Sequence, residues 1–111
     1  YKTLLTVAKA CRNDWFMGPL CCELYHKKAA AAVGEKSVEM LKSKELLPLT
    51  GYVHGGCSPI GMKKFFPTVI DSSAADYDTI IFSAGKIGYQ VELSPADLAQ
   101  VICYAFADIT V

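Results

Sequence analysis

The segment GYVHGGCSPIGMKKFFPTVID, residues 51–71, sets Gly51, Gly55, Gly56 and Gly61 and two prolines around Cys57, Ser58 and a lysine pair. It then runs into β-branched and aromatic residues. Glycine is favoured where a backbone needs positive φ or must let another group come close. Proline fixes φ and removes a donor. A loop of this make-up can aim successive N–H groups at a ligand oxygen, as an anion nest or an oxyanion hole does. An ordinary tight connector is the commoner use of the same pattern. The G-x-x-x-x-G-K-[ST] spacing of a phosphate-binding loop is absent. The loop ends in FFPTVI, a strand whose Pro67 belongs in its first residues or at a sheet edge.

Upstream, YKTLLTVAK and WFMGPLCCEL read as paired strands joined by a turn at CRND, with Gly18-Pro19 as a bulge or an edge interruption. HKKAAAAVG predicts a short helix that ends at Gly34. SVEML suits a short strand. SKELLPLTG has Ser43 as a possible N-cap and Gly51 as a terminator, but Pro48 argues against a regular helix. Downstream, DSSAADY is a turn or one-turn helix, and DTIIFSA and GYQVEL flank AGKIG as a hairpin. The clearest helical pattern is SPADLAQVICYAF. Ser94 is its N-cap, Pro95 its first residue, and Leu98, Val101, Ile102 and Ala105 form one buried face. The sum is a fold of the α/β class (α+β type), a mixed central β-sheet with flanking helices, in a single domain over residues 1–111.

Composition narrows the function. The chain has 111 residues, 52% of them apolar and 20% charged, which suits one packed core. Eleven basic and eleven acidic residues leave no net charge, so bulk charge gives no case for nucleic-acid binding, and no DNA partner is expected. No apolar run reaches the roughly 18 residues of a membrane span, no signal peptide is evident, and a membrane role is not expected. Cys11, Cys21, Cys22, Cys57 and Cys103 lack C-x-x-C spacing, and there are two histidines. Neither a zinc site nor a disulfide framework follows; reduced thiols in a cytoplasmic protein without metal or cofactor is the expectation.

Several residues carry possible chemistry. Cys57 is a tempting nucleophile, but neither His26 nor His54 stands in a recognisable catalytic arrangement, and a buried small thiol is the commoner role. Lys2, on a strand between apolar neighbours, is costly to bury unless it finds a partner. A solvated face is the usual place for such a lysine. Lys27-Lys28 and Lys63-Lys64, with Lys42 and Lys44, form either a phosphate-contacting surface or a solvated face. Phe65, Phe66, Tyr77, Phe82, Tyr89 and Phe106 are expected in the core rather than as base-stacking platforms.

TGYVHGGCSPIGMKKFFPTVID, followed by TIIFSAGKIGYQVELSPADL, resembles the YbaK/EbsC family of aminoacyl-tRNA editing domains, relatives of the editing insertion in bacterial prolyl-tRNA synthetase. The resemblance runs from Tyr1 to about Ile109 and implies release of a mischarged amino acid from tRNA. The nearest branch looks like Cys-tRNA(Pro) deacylase. In that family a lysine in a YKTL strand is the signature functional residue, which falls here on Lys2. The family's loop matches Gly55, Gly56, Cys57, Ser58 and Pro59, while Thr3 and Ser83 match further pocket positions and Gly85 belongs to the same small-residue turn. The implied mechanism is substrate-assisted: the thiol of the misplaced cysteine attacks its own ester and cyclises to a thiolactone. Cys57 then needs no nucleophilic role, and the loop N–H groups serve the ester carbonyl.

The chain departs from the family's pattern in three ways. An N-terminal portion with aromatic pocket residues, ahead of the YKT strand in the family, is not in this chain, which is expected to be truncated there. Gln90 stands where relatives often carry Asp, and CCELYHKKAAAAVG replaces a more usual LDLKKVAKALG. The implied partners are mischarged tRNA(Pro) and a prolyl- or cysteinyl-tRNA synthetase. An Ala-tRNA(Pro) deacylase using water, and a non-catalytic tRNA- or synthetase-binding module, are the alternatives.

Overall fold

Three consecutive residues in the second strand, Trp15, Phe16 and Met17, are each at most 1% exposed. A strand buried on both faces in this way lies inside a sheet, not at its margin. The computed structural model describes residues 1–8, 12–53, 55–60 and 66–111. The expectations attached to Cys11, His54, Gly61, Lys63, Lys64 and Phe65 lie outside the described residues.

The main sheet has the order β3-β1-β2-β4-β7. Strands β1 (Lys2–Ala8) and β2 (Asn13–Gly18) are antiparallel, with Lys2 opposite Gly18 and Leu5 opposite Trp15. The short β3 (Val38–Met40) pairs with Thr6–Ala8 alone, so it leaves the first half of β1 uncovered on that side. Strand β4 (Thr68–Asp71) runs parallel to β2, and β7 (Tyr104–Ala107) parallel to β4. Strands β5 (Ile80–Ser83) and β6 (Gln90–Leu93) make a separate antiparallel hairpin. The expected mixed sheet with flanking helices is therefore present.

Alternation along β2 and β4 divides the core. Phe16 and Val69 point to one face, where Ala29 and Ala30 of helix α1 (His26–Val33) and Ile109 cover them. On the other face Met17 and Ile70 pack with Ala74, Ile80, Phe82 and Leu98. Beside them Trp15 joins Leu5, Leu46, Cys57 and Phe66, under helix α2 (Ser43–Thr50). Burying each of the large side chains contributes roughly 1.5–3 kcal/mol.

Several expectations need correction. Asn13 and Asp14 of the predicted CRND turn already belong to β2, and the strand stops at Gly18 instead of running on through CCEL. The helix over 43–50 continues through Pro48, its cap residue is Lys42, and the Thr50 hydroxyl closes its last turn by donating to the Leu46 carbonyl at 2.7 Å. The predicted long helix from Ser94 keeps its cap, with Ser94 accepting from the Asp97 N–H, but α3 covers only Pro95–Leu98. Its expected continuation becomes β7, because β4 supplies a parallel partner for Tyr104–Ala107. Three aromatics expected inside are exposed: Tyr77, Tyr89 and Phe106, whereas Phe66 and Phe82 are buried.

Candidate active site

The uncovered half of β1 forms one wall of a cavity of about 500 Å³. Its described lining is Tyr1 just before β1, Lys2, Thr3 and Leu4 of β1, Leu20 from the turn after β2, Gly55 and Cys57 from the glycine loop, and Ile81, Ser83 and Gln90 from the hairpin. That size suits a small ligand or the end of a larger one. Four separate parts of the chain meet there, and five residues singled out from the sequence (Lys2, Thr3, Gly55, Cys57 and Ser83) are among them.

Lys2 is the single charged side chain among the described lining residues. It is half-buried, and its ammonium has no hydrogen-bond or ion-pair partner among the described residues. Beside it the Thr3 hydroxyl is buried and makes no hydrogen bond. A buried polar group without a partner is costly, so both groups are suited to receiving a ligand's oxygen or nitrogen atoms. Lys28 is placed differently. Lys28 contacts Asp108 at 2.8 Å and the Thr110 carbonyl at 3.0 Å, and lies 5.7 Å from the centre of the Tyr25 ring, which ties it to the fold.

The glycine loop is held from two sides. Tyr52 donates its hydroxyl to the Ile60 carbonyl at 3.0 Å, and its ring packs against Trp15 at 6.2 Å between centroids. Ser58, fully buried, turns its hydroxyl back to accept from the Ile60 N–H at 3.2 Å. Gly56 donates its N–H to the Val53 carbonyl at 2.9 Å, and Pro59 has no N–H. Among the described residues the N–H groups of Gly55 and Cys57, both on the cavity wall, meet no acceptor.

Gly56 and Gly85 serve a different end, which is close approach. A Cβ on Gly56 would sit 3.1 Å from the backbone nitrogen of Ile87, and one on Gly85 would sit 3.0 Å from Cε1 of Tyr52. Gly85 also has φ +103°, which side-chain-bearing residues rarely adopt. The two glycines let the loop and the hairpin turn lie against each other, and Ser83 fixes that turn by accepting from the Gly85 N–H at 3.2 Å. Gly56, Ser58, Pro59 and Gly85 therefore stand behind the wall, while Gly55 and Cys57 form it.

Cys57 is poorly made for attack. It is 5% exposed, its thiol donates to the Val53 carbonyl at 3.5 Å, and burial pushes its pKa up to about 11. Roughly one molecule in 10⁴ would carry the thiolate at neutral pH, and the thiolate is the nucleophile. The described lining contains no carboxylate and no histidine. Among the described residues no cluster of three metal-ligating side chains occurs, and no helix is long and apolar enough to cross a membrane.

Tyr1, Leu4, Leu20 and Ile81 were not singled out from sequence as site residues. Tyr1 and Leu4 flank the Lys2-Thr3 pair and were within reach of that signal; Leu20 and Ile81 arrive through tertiary structure and carried none.

Comparison with known proteins bears on the family and the fold. The profile of the aminoacyl-tRNA editing domain family matches residues 19–101. A protein of Enterococcus faecalis, named as a proposed Cys-tRNA(Pro)/Cys-tRNA(Cys) deacylase, EbsC, is 48% identical over 110 residues, which is 99% of this chain and 67% of that protein. Two crystal structures share the fold at 23% identity, each over 99% of this chain. One, a hypothetical protein, has a TM-score of 0.89 over 73% of its own chain. The other, described as a proposed trans-editing enzyme for prolyl-tRNA synthetase, has 0.86 over 69%.

Proposed function

Since the chain belongs to the aminoacyl-tRNA editing domain family, we propose that it is a trans-editing deacylase that removes cysteine from mischarged tRNA(Pro). The observation that carries this reading is the composition of the cavity wall. Lys2, Thr3, Gly55 and Cys57 line it, with an ammonium, a hydroxyl and two backbone N–H groups that have no partner among the described residues, and the described lining has no carboxylate or imidazole. Such a site can hold and polarise an ester, but it offers no strong base to activate water. The nucleophile then comes from the substrate.

In this mechanism the cysteinyl sulfur attacks its own ester carbonyl carbon and forms the C–S bond of a thiolactone. The ester C–O bond breaks, and the ribose oxygen leaves as a hydroxyl after taking up the proton that the thiol gives up. Negative charge builds on the carbonyl oxygen in between. The Lys2 ammonium and the N–H groups of Gly55 and Cys57 stabilise that charge, and Thr3 and Ser83 orient the aminoacyl group. Holding the sulfur near its own carbonyl in the cavity supplies several kcal/mol of the barrier.

The test is a time course of deacylation with tRNA(Pro) charged with cysteine, serine or alanine. Loss of the cysteinyl ester alone, slowed roughly 10²–10³-fold by Lys2→Ala, is the expected result. Equal loss of serine would exclude the thiol route. Loss of alanine would bring in a water nucleophile. Binding of charged tRNA without turnover of any ester would leave a non-catalytic module of the same fold.

A further inference from the structure

The turn that follows β2 carries a feature the editing reaction does not use. Pro19 to Cys22 form a tight turn, closed by the Cys22 N–H donating to the Pro19 carbonyl at 3.1 Å. It brings the sulfurs of two consecutive cysteines, Cys21 and Cys22, to 3.8 Å in a thiol–thiol hydrogen bond. Cys21 is exposed and Cys22 half-buried. The pair sits beside the cavity. Leu20, the residue before it, lines the wall, and Lys2, directly opposite Gly18 in the β1–β2 ladder, acts electrostatically on Cys22.

We propose that Cys21 and Cys22 are a reversible modification site, a dithiol that closes to a vicinal disulfide under a two-electron oxidant such as hydrogen peroxide. The exposed Cys21 meets the oxidant first. Its sulfur takes the hydroxyl of the peroxide to give a sulfenic acid, and one water leaves. The Cys22 sulfur then attacks the Cys21 sulfur; the S–S bond forms, the S–O bond breaks, and the second water carries off the Cys22 proton. Two thiols and one peroxide become one disulfide and two waters.

The geometry favours ring closure over other fates. The sulfurs have less than 2 Å to travel to reach a disulfide length of about 2.05 Å. Among the described cysteines Cys57 is buried in the core and closed to the oxidant. The product is poised for reduction. Adjacent Cα atoms are about 3.8 Å apart, shorter than disulfides prefer, and a strained bridge has a more oxidising potential and is the labile kind. The chemistry is independent of the deacylase reading, although it falls at the wall of the same cavity.

The test uses the whole protein, graded hydrogen peroxide, alkylation of the remaining thiols after unfolding, digestion and mass spectrometry. The exposed Cys103 serves as the internal reference. The peptide spanning both cysteines should lose two hydrogens and both alkylation sites, ahead of any change at Cys103, and dithiothreitol should restore both sites. Cys21→Ser and Cys22→Ser should each abolish this closure while circular dichroism stays unchanged. Oxidation of Cys103 with both Cys21 and Cys22 still alkylatable would overturn the proposal. So would a bridge between two chains in place of the intrachain ring.

Discussion

Gly85 and Tyr52 meet so closely that a methyl group on the glycine would stand 3.0 Å from the edge of the ring. This contact joins the β5–β6 turn to the glycine loop, and Tyr52 passes it on to Trp15 and to the Ile60 carbonyl. The cavity wall is thus set by a residue that does not line it. Gly85→Ala adds the close contact to the strain of a φ of +103°. The expected cost is about 1–3 kcal/mol in urea unfolding, with an unchanged m-value, together with weaker deacylation.

Lys2→Ala separates chemistry from stability. The ammonium has no partner among the described residues, so its removal should change the free energy of unfolding by less than about 0.5 kcal/mol. Deacylation should fall by roughly 10²–10³-fold, as for loss of one oxyanion-stabilising group. A large drop in stability with modest loss of rate would mean that Lys2 serves the fold instead.

Cys57→Ala should retain deacylation within a few-fold, because a thiol with a pKa of about 11 is protonated at working pH. The same shift has a thermodynamic consequence. The folded-state pKa lies above that of the unfolded thiol, so the unfolded state loses its proton first as pH rises. Stability is fully present below about pH 9 and falls between roughly pH 9 and 11, by at most about 2–3 kcal/mol, a fall that Cys57→Ala should remove. Urea midpoints across that range measure it.

Asp71 predicts the opposite end of the pH scale. Burial pushes its carboxyl up. Hydrogen bonds outweigh that effect: Ser73, the Ile109 N–H at 3.1 Å and the Thr110 hydroxyl at 3.4 Å hold it below its ordinary value. The stability it contributes is present above the unfolded pKa near 4 and lost as pH falls through the lower folded one. Asp71→Ala removes the acceptor that anchors residues 109–110 to the end of β4. It should cost about 2–4 kcal/mol at neutral pH and flatten the acid limb of a pH–stability curve.

The sequence was most legible where one local signal sufficed. The alanine run ending at Gly34 became α1, and AGKIG became the hairpin turn with Ser83 opposite Gln90. Ser94, Pro95 and Asp97 marked the start of α3 correctly. They could not mark its end, because the choice between helix and strand at Tyr104–Ala107 belongs to β4, more than thirty residues earlier. Val101, placed on the buried face of that helix, is 59% exposed as a result. The site divides in the same way. Lys2, Thr3 and the loop were found through a motif, whereas Leu20 and Ile81 reach the cavity through tertiary packing. Glycines read as donors of free N–H groups also proved to be points of contact, since Gly56 spends its N–H on Val53.

The missing base in the cavity wall has a consequence for how such an editor answers to acidity. The described lining residues include no carboxylate or imidazole, so none of those groups imposes a bell-shaped profile there. The ionisation that matters arrives with the cargo and departs with it. Clearance of cysteinyl esters should climb with pH until the substrate thiol, ordinarily near 8.5, is ionised, and then level off. An alanyl ester, which brings no such group, would show no such climb.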